Sequence, residues 1–373
     1  MATDGLALTS DERDLQSALR AMLAGELSSA GLRAALETDA GYRPELWSAL
    51  ASDLGLAGLA VPEEFGGLGL GPAEAAVVLE DLGRVLYPGP FLATWLATTA
   101  LLATGDAAAH QRWLPRIAEG TIAGCVAVAD KAGSWGQAAD AVRARHDERG
   151  WRLDGARWFV IAGHVADVIL VPAVTDSGLS VFLVERGADG FSAEPVSVLD
   201  LTRKVAIVNL DGAPATLLGR EGGGQAAVEA AEHALLLACA AEAAGGIGWC
   251  LDACVDYAKT RTQFGRPIGG FQAVAHACVD MLAHHQSSSA AARYAAVATA
   301  RGAPDALLAA RVAALRTGEA YRTVTEAAIH LLGGIGFTWE HDAHLYYRRA
   351  WSSQQLTATP QAHRAAIAEL VRL

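Results

Sequence analysis

The stretch RTQFGRPIGGFQAVAH, residues 261–276, is the most informative in the chain. A long helical pattern ends at Arg261, Gly265 and Pro267 break it, and a new helical pattern starts near Gln272. The break sets a guanidinium (Arg261), a carboxamide (Gln263) and an aromatic ring (Phe264) within a few residues. Such a set holds a phosphate, a hydrogen-bonding edge and a planar ring. It is equally an ordinary helix end, turn and helix start. Read alone, the stretch leaves both open.

Working outward, the periodicity is helical from Ser10 to about Gly120, with Ser10-Asp11-Glu12-Arg13 as a capped start. Gly66, Gly67, Gly69 and Gly71 invite a phosphate-loop reading. No strand precedes them in GxGxxG order and no lysine follows, so a chain reversal between helices is the expectation. Near Gly120 the pattern changes to short β-branched runs: CVAVAD, WRLDGARWFVIAG, DVILVPAV, SVFLVERG and KVAIVNLDG. Their spacing predicts a small antiparallel β domain. From Gly222 the helical period returns almost to Leu373. The order predicts an α+β chain of three parts, 1–120, 121–221 and 222–373.

The chain has 373 residues, 52% hydrophobic and 19% charged, with mean hydropathy +0.24. That composition is globular and core-rich. A net charge of −12 and pI near 5.4 disfavour nucleic acid as a partner. No run of eighteen apolar residues escapes a charge or breaker, so no membrane span is expected. The acidic start MATDGLALTSDERD lacks a basic-then-apolar leader pattern, which predicts a cytoplasmic protein. Cys125, Cys239, Cys250, Cys254 and Cys278 have no metal-like spacing and read as buried thiols, with no metal site.

RTQFGRPIGGFQAVAH resembles the signature of the acyl-CoA dehydrogenase family. So do AIHLLGGIGFTWEHD (residues 328–342) and LGLAGLAVPEEFGGLGL (residues 54–70), in family order around a β block of family length. The resemblance covers essentially the whole chain. It implies an N-terminal α-helical domain, a middle β domain, a C-terminal four-helix bundle and FAD at a subunit interface. It also implies α-proton abstraction from an acyl-CoA by a carboxylate, with β-hydride transfer to the flavin and on to an electron-transfer acceptor. Arg261, Gln263 and Phe264 match positions that reach the FAD of the neighbouring subunit, and Gln272 matches a further one. Gly333 and Gly334 match the backbone approach to the pyrophosphate. Thr359 and Gln361 match polar FAD contacts flanking the catalytic site. His330 stands where glutamine is commoner.

The flavin-facing side departs from the family pattern. Aligning CVAVADKAGSWG (residues 125–136) on Gly133-Ser134 retains Ser134 as a cofactor contact but puts Val128 at a threonine position. Phe159 can pack on the flavin, while Ile161 replaces a hydroxyl residue. The usual catalytic glutamate position near the C-terminus falls on Thr357, and the family's alternative position falls on Leu235. A threonine hydroxyl is no general base without another base beside it. Glu242 is the fallback base. A buried helix glutamate paired to an arginine is the favoured reading of it, and Glu232 reads as a solvated acid.

Three functions follow. One is the base-lacking subunit of a heteromeric acyl-CoA dehydrogenase, a heterotetramer completed by a homologous subunit. Another is a homo-oligomeric enzyme with Glu242 as base, on an acyl-CoA or acyl-carrier substrate, or with flavin chemistry that needs no base. The last is a flavin-free scaffold. Small residues between Ala234 and Gly246 suggest a roomy acyl pocket lined by that helix.

Overall fold

The structure, a computed structural model, describes residues 6–133, 135 and 142–372. Six helices come first: α1 (Ser10–Glu26), α2 (Ser29–Leu36), α3 (Pro44–Ser52), α4 (Pro72–Arg84), α5 (Phe91–Ala103) and α6 (Ala107–Ala118). Thr9 caps α1, its Oγ1 accepting from Glu12 N at 3.2 Å while the Glu12 carboxylate accepts from Thr9 N at 2.8 Å. The glycine-rich segment is a chain reversal: Leu68, Gly69 and Leu70 donate back to the carbonyls of Gly58, Val61 and Leu59 at 2.8–2.9 Å. Pro72 and Glu74, in the first turn of α4, then start the next helix.

Seven strands follow: β1 (Gly124–Val126), β2 (Val142–Asp147), β3 (Gly150–Ile161), β4 (Val168–Thr175), β5 (Gly178–Glu185), β6 (Phe191–Val196) and β7 (Val205–Leu218). The order β4-β2-β3-β7-β5 returns to β4, so the sheet closes into a small barrel. β1 extends the edge of β4 and β6 pairs with β7. Most pairings are antiparallel as expected, but β4 runs parallel to both β1 and β2.

The C-terminal part holds α7 (Gln225–Thr260), the short hairpin β8 (Thr262–Gln263) and β9 (Arg266–Pro267), α8 (Gln272–Ala300), α9 (Ala306–Leu332), α10 (Ala343–Thr357) and α11 (Pro360–Leu370). By length and composition α7 is apolar enough to cross a membrane, which sequence reading did not anticipate. Yet 94% of its most apolar window is buried inside the protein, so it is the central core helix.

Its glycines serve close packing. Side chains grown at Gly245 and Gly83 would collide with the Glu80 carbonyl and with the Glu242 backbone. The small residues let α4 and α7 approach at backbone distance. The cysteines are buried or half-buried, and burial pushes Cys239 and Cys254 up to about 12.

Candidate active site

One cavity of about 340 Å³ gathers much of what the alignment had put at the flavin face. Val128 and Ala129 enter it from the segment after β1, and Phe159 and Ile161 from the end of β3. Ala93 and Leu96 of α5 and Ser352, Gln355 and Leu356 of α10 complete the walls. Phe159 is aimed by a register break in β3 between Arg157 and Val160, and its backbone is left-handed, φ 51°. A non-glycine residue in that region carries strain, and such strain collects at functional sites. Ser134 lies outside the described residues.

Behind the cavity sits a buried cluster of two acids and two bases. Arg349, 2% exposed, ion-pairs Asp200 at 2.6 Å and donates to Thr202 Oγ1 at 2.6 Å. Arg203 ion-pairs Glu242 and donates to Ser353 Oγ at 3.1 Å. Arg349 Nη1 lies 3.6 Å from the other Glu242 oxygen. Burial opposes the Arg203 charge, but Glu242 beside it, with Cys239 and Asp200, holds the guanidinium pKa above its ordinary value. The four charges cancel, which is how such groups survive without water.

Glu242 therefore has both carboxylate oxygens engaged by arginines. Arg203 lines the cavity, and Glu242 does not. In this geometry Glu242 is a buried helix glutamate paired to arginine, held by two guanidiniums and absent from the cavity lining. Leu235 is buried in the core. Glu232 is not a free solvated acid: it pairs with Arg311 at 3.0 Å.

Thr357, at the glutamate position, also turns away from the cavity. Its Oγ1 lies 3.2 Å from His363 Nε2 and borders a separate hollow of about 20 Å³ with Tyr321 and Gln354. Burial, then Arg311, lowers the His363 pKa, so the ring is neutral beside the hydroxyl. His363 and the clamp residues Arg203 and Asp200 were missed in sequence. Asp200-x-Thr202-Arg203 was the available signal. Thr359 caps α11, accepting from Ala362 N at 3.2 Å, and Gln361 is exposed in its first turn.

The other predicted contacts lie elsewhere. α7, α8 and α9 are joined by short connections and pack along one another, so they run antiparallel. The end of α7, the start of α8 and the end of α9 therefore share one end of the bundle. Arg261, Gln263, Phe264, Gln272, His330, Gly333 and Gly334 are all exposed there. Glu242, at cavity level, precedes Thr260 by eighteen residues of continuous helix, a rise of about 27 Å.

At this edge Phe264 and Gly265 form the two-residue loop of the β8–β9 hairpin, with φ 50° and 77°. Such loops favour Asn-Gly, and a phenylalanine there is strained. Its ring is 91% exposed, 6.0 Å from the Phe271 ring, and the Arg266 guanidinium lies 4.1 Å over Phe271. Gly333 ends α9 at φ 65°, ψ −140°, a conformation reserved for glycine, with open space on its Cβ side, as at Gly334.

This edge has the chemistry to hold a phosphorylated dinucleotide: cationic and amide donors, an exposed ring and bare backbone. The cavity suits a flavin ring less well. Its wall carries aliphatic Val128 and Ile161 where hydroxyls would meet the ring's polar edge, and its charged residues are committed to the clamp.

Comparison with known proteins agrees with this architecture. Residues 9–121 match the family model for the acyl-CoA dehydrogenase N-terminal domain, and residues 223–371 the one for the C-terminal domain. The acyl-CoA dehydrogenase IpdE2 of Mycolicibacterium smegmatis is 37% identical over 94% of this chain and 96% of its own. A crystal structure of the ChsE4-ChsE5 complex from Mycobacterium tuberculosis superposes with TM-score 0.89 at 29% identity, covering 98% of each chain. A Tcur3481-Tcur3483 steroid ACAD variant does so with TM-score 0.87 at 30% identity, over 97% of this chain and 98% of that one. On these whole-length matches the chain belongs to the acyl-CoA dehydrogenase family, flavoprotein oxidoreductases that act on CH–CH groups and use FAD.

Proposed function

We propose that this chain is the subunit without a catalytic base in a heteromeric acyl-CoA dehydrogenase. Its exposed bundle edge completes an FAD site whose base and flavin-facing hydroxyls belong to a homologous partner chain. The observation that carries this reading is the separation of the two half-sites. The dinucleotide-type residues sit at one end of α7, about 27 Å of helix from a cavity that has no free carboxylate among the described residues lining it.

In the assembly Arg261 and Gln263 bind the polar part of the dinucleotide, and Phe264 covers a ring. Gly333 and Gly334 let the backbone approach without a Cβ in the way. Bound there, FAD would supply the hydride acceptor for oxidation of an acyl-CoA thioester, with an electron-transfer acceptor as the redox partner of the complex. The partner also covers apolar surface exposed at the same end, including Phe337 at 83% and Trp339. Two solved relatives carry paired chain names, ChsE4-ChsE5 and Tcur3481-Tcur3483, which supports two unlike subunits. Tcur3481-Tcur3483 is a steroid ACAD, which makes a steroid-derived acyl group the first substrate class to test. We place the complex in the cytoplasm.

The test is to purify the chain alone and with a co-expressed homologous dehydrogenase chain, recording flavin absorbance and acyl-CoA-dependent bleaching. The mixed complex should be yellow and bleach, and the lone chain should do neither. A lone chain that holds flavin and is reduced by substrate overturns the reading.

A further inference from the structure

The cavity beside the barrel is walled by apolar side chains that do not fill it. Val128 and Ile161 offer no hydroxyl at the wall, and Ala93, Ala129 and Ala132 keep the space open. An empty apolar hollow forfeits packing contacts, so a site with no occupant gains by growing larger side chains. About 340 Å³ lies within the range of small-molecule sites. A second, independent observation is the strained backbone of Phe159 at the β3 register break, which aims an aromatic ring into this space.

The polar groups bordering the cavity do not ask for a charged ligand. Asp200 is occupied by Arg349, and Arg203 by Glu242 and Ser353. Among the described residues, what remains is an aliphatic and aromatic wall with Ser352 and Gln355 on the α10 side. Such a wall favours flat apolar surface and penalises a ring with many unmet hydrogen-bonding atoms.

We propose that this cavity is a binding site for an uncharged apolar ring compound in place of a flavin. The proposal rests on the heteromeric reading, in which flavin sits on the partner's face and leaves this one to another ligand. Binding there inserts the compound between the barrel and α10, against Phe159.

The test uses the mixed complex and 1-aminoanthracene, an uncharged fused-ring dye that brightens in apolar surroundings, with naphthalene and lumiflavin as competitors. The dye should bind, naphthalene should displace it, and lumiflavin should displace it at least tenfold less well. A Val128→Thr/Ile161→Thr double substitution adds two hydroxyls to the wall and should weaken dye binding about tenfold or more. Leu356→Trp, which fills space from the half-buried rim without adding charge, should do the same, with folding checked by urea unfolding.

Dye binding unchanged in both folded variants overturns the proposal, as does lumiflavin competing as well as naphthalene. FAD content, read separately, distinguishes the two failures. A yellow complex with no dye site defeats the cavity proposal alone, while a colourless complex defeats the heteromeric reading.

Discussion

Two phenylalanines mark the two working ends of this molecule, and each is held in the left-handed backbone region. Phe264, φ 50°, stands almost fully exposed on a hairpin tip at the far end of the bundle. Phe159, φ 51°, lines an apolar cavity beside the barrel. The exposed end is rich in donors and poor in local partners, as suits residues whose partner comes from another chain. The cavity end has settled its charges internally through Arg203, Arg349, Glu242 and Asp200. Arg261, Gln263, Phe264, Gly333 and Gly334 lie at the exposed end, while aliphatic Val128 and Ile161 stand beside Phe159 in the cavity wall.

The largest effect that would break this contrast is at the clamp. Glu242→Gln leaves two buried guanidiniums short of a carboxylate and should cost about 3–5 kcal/mol in urea unfolding. Turnover per folded mixed complex should stay within twofold. A loss of about 10²–10⁴ in turnover without loss of stability would make Glu242 a base instead.

The outer end should behave oppositely. Arg261→Ala, at an exposed position, should leave stability within about 0.5 kcal/mol. It should weaken FAD retention by the mixed complex about tenfold or more, read by flavin release on dilution, because a charge-assisted contact to phosphate is lost. Unchanged retention would detach this edge from the cofactor.

Gly333→Ala should cost about 1–3 kcal/mol, since alanine is strained at φ 65°, ψ −140°. Nothing stands within 4 Å of the added Cβ, so any such cost is backbone strain and not a clash. The check is thermal unfolding beside Gly334→Ala, which lacks the positive φ and should be milder.

The smallest effect is the pH response of His363. Burial, then Arg311, lowers its pKa from the model-peptide value of 6.5. A histidine with a lowered folded pKa contributes stability that is present above 6.5 and lost as pH falls through its folded value. His363→Asn should therefore flatten the decline in stability between pH 7 and pH 5. A slope identical to that of the parent chain would refute the assignment.

Much of the fold was legible because its signals are local. The Thr9–Glu12 capping box, Pro72 at the start of α4 and the Gly-Pro break before α8 each answer a backbone demand within a few residues. The exposed edge was legible for the same reason: Arg261, Gln263 and Phe264 belong to one turn. What misled was inference about which way a side chain faces. Gly245 of α7, within the small-residue run read as a pocket wall, carries the close approach to α4. Thr357 aligns with a catalytic position yet faces His363, because the last turn of α10 presents it toward α11.

Sequence by itself determined the helix–β–helix order and the family, gathered Arg261, Gln263 and Phe264 in one turn, and put Thr357 and Leu235 where the resemblance implies a glutamate. Only the tertiary structure decided that this edge and the cavity lie far apart along one helix. It alone showed that Glu242 is bound by two arginines distant in sequence. Local pattern fixes what a residue is and which element carries it. Which charges meet, and which space stays open, depends on contacts among segments from about forty to about a hundred and fifty residues apart.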